Sequence, residues 1–303
     1  MGFKIFFSFL FILFAMLLLM LYWFIPGETF EFGMASSNSN FSLNVYGSEE
    51  MQFYSNMRFA NPRLSYNIDG CTLQKETDMK GAFDIMSDLT LLEFYSTSNN
   101  EDISITCDSH AKMEGGMFIA GEGGPTNISV GKLFNVIDHG KILLIRDSSC
   151  ERPNVAIHEL LHVLGFDHSS NENNLMYNVS KCKQTIGEDI PLLINELYSV
   201  PSVPELEFEN VSAIMNGRYL GLNLTVRNSG LAMSKNLKIN VYVDNKFVKE
   251  FDIEKIPIGY GRMISVSNLL VNKISVDELK IIIDYNYEEL DKSNNEIILN
   301  IKK

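Results

Sequence analysis

The stretch AIHELLHVLGFDH, residues 156–168, holds three of the chain's five histidines, and it restricts the local fold more than any other feature. His158 and His162 are four residues apart, so on a helix they stand on one face and can reach one metal ion. Gly165 admits a sharp turn with positive φ after that helix. His168 can then return as a third ligand. Three neutral imidazoles leave one coordination position for water, which is the arrangement of a catalytic zinc site. Glu159 lies beside the first ligand and suits a general base, while zinc lowers the pKa of its water towards about 7. An isolated histidine on an amphipathic helix is usually packed or solvated. The fixed pattern H-E-x-x-H-x-x-G-x-x-H sets this run apart. One catalytic Zn2+ held by His158, His162 and His168 is the expectation.

The N-terminus carries a second constraint. Residues 5–25, IFFSFLFILFAMLLLMLYWFI, form an uncharged and almost wholly apolar run. As a helix it would rise about 31 Å, enough to cross a bilayer core of about 30 Å. Lys4 precedes it, Tyr22 and Trp23 close it, and Glu28 and Glu31 follow. This order predicts a single-pass transmembrane anchor in the cell membrane with the rest of the chain extracellular. The competing expectation is a cleaved signal peptide and a secreted protein, although no A-x-A-like site follows Ile25.

Four cysteines, Cys71, Cys107, Cys150 and Cys182, all fall on the outer side of that anchor. An even number in an oxidising compartment predicts two disulfides, with three connectivities open. The net charge of −13 argues against nucleic acid as a partner. Five N-x-S/T sequons, at Asn40, Asn127, Asn178, Asn210 and Asn223, permit glycosylation outside.

Residues 26–56 are rich in Ser, Asn and Gly and read as an extracellular tether. From residue 57 to 199 strand-like and helical segments mix. RLSYNI alternates; QKETDMKGAFDIMSDLTLL places Met79, Ala82, Phe83, Met86 and Leu89 at helical spacing. EFYS and DISITC read as strands, and GGMFIAGEGGPT as a short strand entering a glycine-rich turn. LFNVIDHGKILLIR reads as two strands around Asp138–Lys141. NVAIHELLHVLG is a helix with Asn154 as N-cap, and GEDIPLLINELY a later helix. The pattern is α/β (α+β), with a mixed sheet and the histidine-bearing helix. SVPSVPEL, with Pro201 and Pro204, reads as a linker. Residues 203–303 then alternate throughout without a helix, predicting an all-β immunoglobulin-like sandwich.

The segment HELLHVLGFDHSS…NLMY…IGEDIPLLINELY resembles the catalytic half of the matrixins within the metzincins, whose signature adds a downstream Met-turn. Met176 in NNLMYN occupies that position, although filling a core is the usual role of a methionine. RLSYNI, DISITC and KILLIR resemble strands of the same family. The resemblance spans residues 57–199. It implies His158, His162 and His168 as zinc ligands, Glu159 as base and Met176 as the Met-turn. It departs from the family in lacking the P-R-C-G-x-x-D propeptide. Clear ligands for the family's second zinc and calcium are also missing, which leaves a structural calcium open. Cys150 and Cys182 bracket the zinc helix and Met-turn, which suggests one bridge there and a second between Cys71 and Cys107. Residues 203–303 resemble a CARDB-type module in LTVRNSGLAMSKNLKINVYVDNK and IDYNYEELDKSNNEI. Such modules space, dock or bind a surface partner.

Two functions compete. One is a membrane-anchored extracellular zinc endopeptidase acting on peptide or protein substrates. Its substrate would lie extended along an edge strand at residues 115–121, including Met117, Phe118, Ile119 and Ala120, with Tyr177 lining a pocket. The other is a surface adhesion or binding protein whose metzincin domain is vestigial and inactive. An intact Glu159 opposes the second.

Overall fold

The computed structural model describes residues 2–24, 29–37, 47–110, 112–114, 117–147, 150–273 and 276–301. The apolar N-terminal run is one helix, α1, Gly2–Phe24. Its described large side chains, such as Phe6, Phe11 and Leu19, are more than half exposed. Counted over the residues whose side chains are described, no helix is long and apolar enough to cross a membrane. The 23-residue span of α1 counts the whole helix, including ends whose side chains lie outside that description.

The expected tether, residues 26–56, is corrected in two places. Thr29–Ser37 is a strand, β1, and Ser48–Met51 is a short helix, α2. Gln52, Asn56 and Met57 are buried, and Gln52 exchanges hydrogen bonds with the Met57 backbone at 2.7 and 3.0 Å. This segment is packed against the domain that follows it rather than free.

That domain is built on a six-stranded mixed sheet. Its elements begin with β2 (Met57–Phe59), β3 (Arg63–Asp69), helix α3 (Leu73–Leu89), β4 (Glu93–Ser96) and β5 (Ile103–Cys107). Then come β6 (Lys112–Glu114), β7 (Met117–Ile119), β8 (Gly121–Val130), β9 (Asn135–Leu144) and helices α4 (Asn154–Val163) and α5 (Asp189–Ser199). The order is β2-β9-β5-β3-β4, all parallel, with β8 added antiparallel to β9. Helix α3 buries Met79, Ala82, Phe83 and Met86, the residues its periodicity marks, and Thr72 caps its N-terminus. Leu89, also marked, is exposed.

Two expectations within this sheet change. LFNVIDHGKILLIR holds one strand, β9, because Asp138–Lys141 stays extended: Asp138 is in no turn and Gly140 pairs with Ile103. GEGGPT is strand rather than turn: it opens β8, which runs the length of β9. Cys71 is bonded to Cys107 and Cys150 to Cys182.

The sandwich comprises β10 (Leu206–Asn216), β11 (Tyr219–Asn228), β12 (Leu237–Val243), β13 (Lys246–Ile253), β14 (Gly261–Leu270), β15 (Glu278–Asp284) and β16 (Glu296–Ile301). Alternate residues face one core, as Leu220, Leu222, Leu224 and Val226 do from β11, and Ile239 and Val241 from β12. The strand order is β13-β12-β15-β16-β1-β10-β11-β14. β1 therefore sits inside this sheet. Thr29–Glu31 pair with β10 and Phe32–Ser37 with β16, and Phe32 is buried in the sandwich core. The sandwich expected from residues 203–303 alone is completed by a strand from the other end of the chain.

The segment expected as a linker, at Pro201–Pro204, is packed against the second domain. Leu231 N donates to Val203 O at 2.8 Å, and Glu205 is 1 % exposed. A separate apolar cluster of Phe134, Val136 and Leu231, with Ile258 and Leu290 against it, joins the two domains. Arg58, fully buried, donates to the carbonyls of Phe59, Ala60, Leu197 and Val200 and lies over the Tyr198 ring. One guanidinium fork thus serves four backbone oxygens, and Ala60 O accepts from Ser202 Oγ as well.

Candidate metal centre and active site

Helix α4 is buried on nearly every side. Asn154 is its first residue rather than its cap: Pro153 holds the cap position, and Asn154 Nδ2 donates to Lys181 O at 3.0 Å. With the Cys150–Cys182 bond, this ties the helix entry to the loop that follows the Met-turn. At the other end Gly165 has φ +95°, and a Cβ there would come within 2.8 Å of Met57. Only glycine combines that conformation with that contact. The chain turns, and His168 comes back to the helix.

The three histidines converge. Nε2 of His162 lies 3.0 Å from Nε2 of His158 and 3.2 Å from Nε2 of His168. Backbone carbonyls fix two of the rings: His158 Nδ1 lies 2.7 Å from Leu175 O, and His162 Nδ1 2.8 Å from Phe166 O. A carbonyl only accepts, so both Nδ1 atoms carry the proton and both Nε2 lone pairs face inward. Lone pairs at this separation repel unless a cation sits between them, and ligands about 2.0–2.1 Å from one tetrahedral zinc stand about 3.3 Å apart. Burial pushes the His158 imidazole down to about 4. It lowers that of His162 too, against the raising effect of the Phe166 carbonyl. Both are thus neutral at pH 7, the form that binds metal. Among the described residues this is the group of three or more metal-binding side chains with converging ligand atoms.

Met176 is buried, 1 % exposed. Its carbonyl accepts from Ser169 N at 2.8 Å, next to His168, while the carbonyl of Leu175 holds His158. The Met-turn therefore fixes the backbone around two of the three ligands. Tyr177 is half-buried, with Lys181 Nζ 5.7 Å from its ring centre.

Glu159 is 5 % exposed, and burial pushes its carboxyl up to about 8, with the nearby Glu122 adding to the effect. In the metal-free pocket this carboxyl therefore holds its proton near neutrality, and a cation held by the three histidines would favour the ionised form that can accept one. Its neighbour is β8. A Cβ at Gly121 would lie 2.7 Å from Glu159 Cγ, and one at Gly123 would lie 2.4 Å from Glu159 O. The two glycines share one face of the strand and let it pack directly on the catalytic helix. These residues escaped the sequence reading. Their signal was the G-x-G spacing, which on a strand puts both on one side.

The segment chosen from sequence as a substrate edge, residues 115–121, is divided. Residues 115–116 lie outside the described residues. Met117–Ile119 form β7, which pairs with β6 in a separate two-stranded sheet and not with the main sheet. Ile119 and Ala120 are half-buried, and the Ala120 carbonyl accepts from Ile145 N and Arg146 N at 2.9 and 3.0 Å. The edge strand beside Glu159 is β8. Phe53 was also missed: its ring stacks on His162 at 5.8 Å, and its N–H donates to Gly165 O at 3.0 Å. His139 bonds to Ser104 and Thr126, and His110 to Asp108, away from the three-histidine centre.

No curated protein matches the chain. Among solved structures, a CARDB domain from Pyrococcus furiosus, solved in complex with di-metal ions, matches at 14 % identity. That match covers 32 % of this chain and 87 % of that one, with a TM-score of 0.27. Residues 58–199 match the family described as matrixin and residues 203–298 the family described as CARDB. The chain thus carries a matrixin, metallopeptidase-like domain followed by a CARDB domain.

Proposed function

We propose that this protein is a zinc endopeptidase, anchored in the cell membrane by α1, whose catalytic domain works outside the cell. The observation that carries the peptidase reading is the convergence of three imidazoles, two of them tautomer-fixed, next to a buried carboxyl. His158, His162 and His168 would hold one zinc ion, which when bound acidifies water and polarises a peptide carbonyl. Glu159 takes the proton from the attacking water and passes it to the leaving amine.

Among the described strands β8 pairs only with β9, so its outer edge is open to an extended peptide. We place the substrate backbone along β8, with β7 and Tyr177 flanking it. The two disulfides fit an oxidising compartment. The length and apolar character of α1 support the anchor. An adhesive protein with a dead catalytic domain has no need of the base or of the carbonyls that orient the ligands.

Metal analysis with peptide-library digestion tests the reading, using wild type beside Glu159→Gln. One zinc per chain in both, with hydrolysis by wild type and a loss of about 10²–10⁴-fold in the variant, is the expected result. Equal hydrolysis by the two proteins would overturn the role of Glu159. No hydrolysis by zinc-loaded wild type would favour the adhesive protein.

A further inference from the structure

The ends of the sandwich differ in what they hold. At one end, Thr29 of β1 pairs with Asn216 at the tip of the β10–β11 hairpin. Residues 25–28 are all that separate this strand from Phe24, the last residue of α1. Five backbone steps span at most about 18 Å, so α1 must end close to this tip. At the opposite end, Ser37 pairs with Ile297, and β10 begins at Leu206. Both chain entries to the catalytic domain leave from there.

The contacts between the domains lie at that same far end. Leu231, Ile258 and Leu290 cover Phe134 and Val136. Lys132 Nζ meets Glu207 at 2.6 Å, and Val130 O would be 3.2 Å from a Cβ at Gly259. Val203–Glu205 is packed, since a Cβ at Gly230 would fall 2.3 Å from Glu205 N. The joint is therefore stiff, and the hairpin it grips, Val130–Phe134, links β8 to β9. Between the two ends runs β10, whose 11 residues extend about 35 Å. The tip near α1 exposes Tyr219, Phe247 and Leu270, beside Arg218 and Lys246. Aromatic and cationic groups together favour the headgroup layer.

We propose that the sandwich, closed by β1, is a rigid spacer standing on the membrane, and that it selects substrates by height. The preferred substrates are proteins tethered in the same membrane, cut at bonds roughly 30 Å or more from the bilayer and not next to it. This rests on the peptidase and anchor readings above. The catalytic domain is an insertion between β1 and β10, so β1, the strand that follows α1, cannot move relative to the active site without breaking the sandwich.

The test uses the full-length protein in lipid vesicles. Its best-cleaved library peptide is fused to an unrelated transmembrane helix through flexible spacers of about 5 or about 30 residues. Five residues reach at most about 18 Å, whereas thirty have a root-mean-square reach of about 30 Å. The long-spacer substrate should be cut at least tenfold faster in vesicles, and the difference should vanish in detergent. Equal rates for the two spacers in vesicles would overturn the spacer. Failure to hydrolyse the free peptide would instead remove the peptidase reading. Failure of the protein to sediment with vesicles would remove the anchor. Either loss removes the height selection with it.

Discussion

Gly123→Ala tests how closely the edge strand is fitted to the catalytic helix. The added Cβ would stand 2.4 Å from Glu159 O and 2.9 Å from Glu159 Cα. Ordinary contact begins near 3.4 Å, so strand and helix must separate by about 1 Å in a close-packed interior. Such overpacking costs about 1–3 kcal/mol. For a domain of this size that is a fall in melting temperature of roughly 2–12 °C. The displaced groups are the general base and the strand proposed to hold substrate. A misplacement of about 1 Å can cost about 10²-fold in rate. Gly124→Ala is the control, because nothing lies within 4 Å of its new Cβ. The assay is thermal unfolding of the zinc-loaded proteins together with kcat/KM on one peptide. The expected result is a loss of both stability and rate for Gly123→Ala, and neither for Gly124→Ala. If the two variants match wild type equally, β8 does not pack on Glu159 as described.

Four further outcomes follow from the same geometry. His168→Ala should lower zinc content well below one ion per chain while leaving α4 folded; full occupancy by metal analysis would rule out the three-histidine centre. In chelator-treated protein, Glu159→Gln should raise stability at pH 7–8 and have little effect near pH 4. The folded carboxyl, at about 8, keeps its proton where the unfolded chain, near 4.5, has lost it, so wild-type stability falls as pH rises between those values. The pH dependence of urea unfolding checks this, and a gain that grows towards low pH would contradict the sign. Phe32→Ala removes a buried ring from the sandwich core and should cost about 3–5 kcal/mol in urea unfolding; a neutral substitution would mean that β1 is dispensable. A fragment of residues 203–303 should be poorly folded unless a peptide of residues 29–37 is added, which near-ultraviolet circular dichroism would show.

The metal centre was legible because its chemistry is local. An i, i+4 pair and a glycine turn lie within eleven residues, and helix geometry fixes where their side chains stand. The core face of α3 and the strands of the sandwich were legible for the same reason. What sequence did not disclose depends on distant partners. β1 carries Phe30, Phe32 and Met34 in alternation, a strand signal in itself. Its partners, however, are about 180 to 270 positions away, and no local pattern names them. β8 was taken for a turn because three of its first four residues are glycine. Their reason is the helix packed against them, which local propensity does not contain. Phe53 was lost within a polar segment, although its ring is held by His162.

The insertion also changes how the two families meet in this chain. Two modules in series would meet at one covalent joint, and the second could be removed without consequence for the first. Here residues 57–199 leave the sandwich by β1 and return by β10, so the ends of the catalytic domain are fixed by strands of the other domain. Cleavage near Met34 would divide β1 itself, between the residues that pair with β10 and the last that pair with β16. It would leave the edges of β10 and β16 open, exposing unpaired backbone groups. An N-terminus mapped at Met34 on a stable, monomeric protein would therefore contradict both the anchor and the role of β1. An intact α1 on the mature chain is what both require.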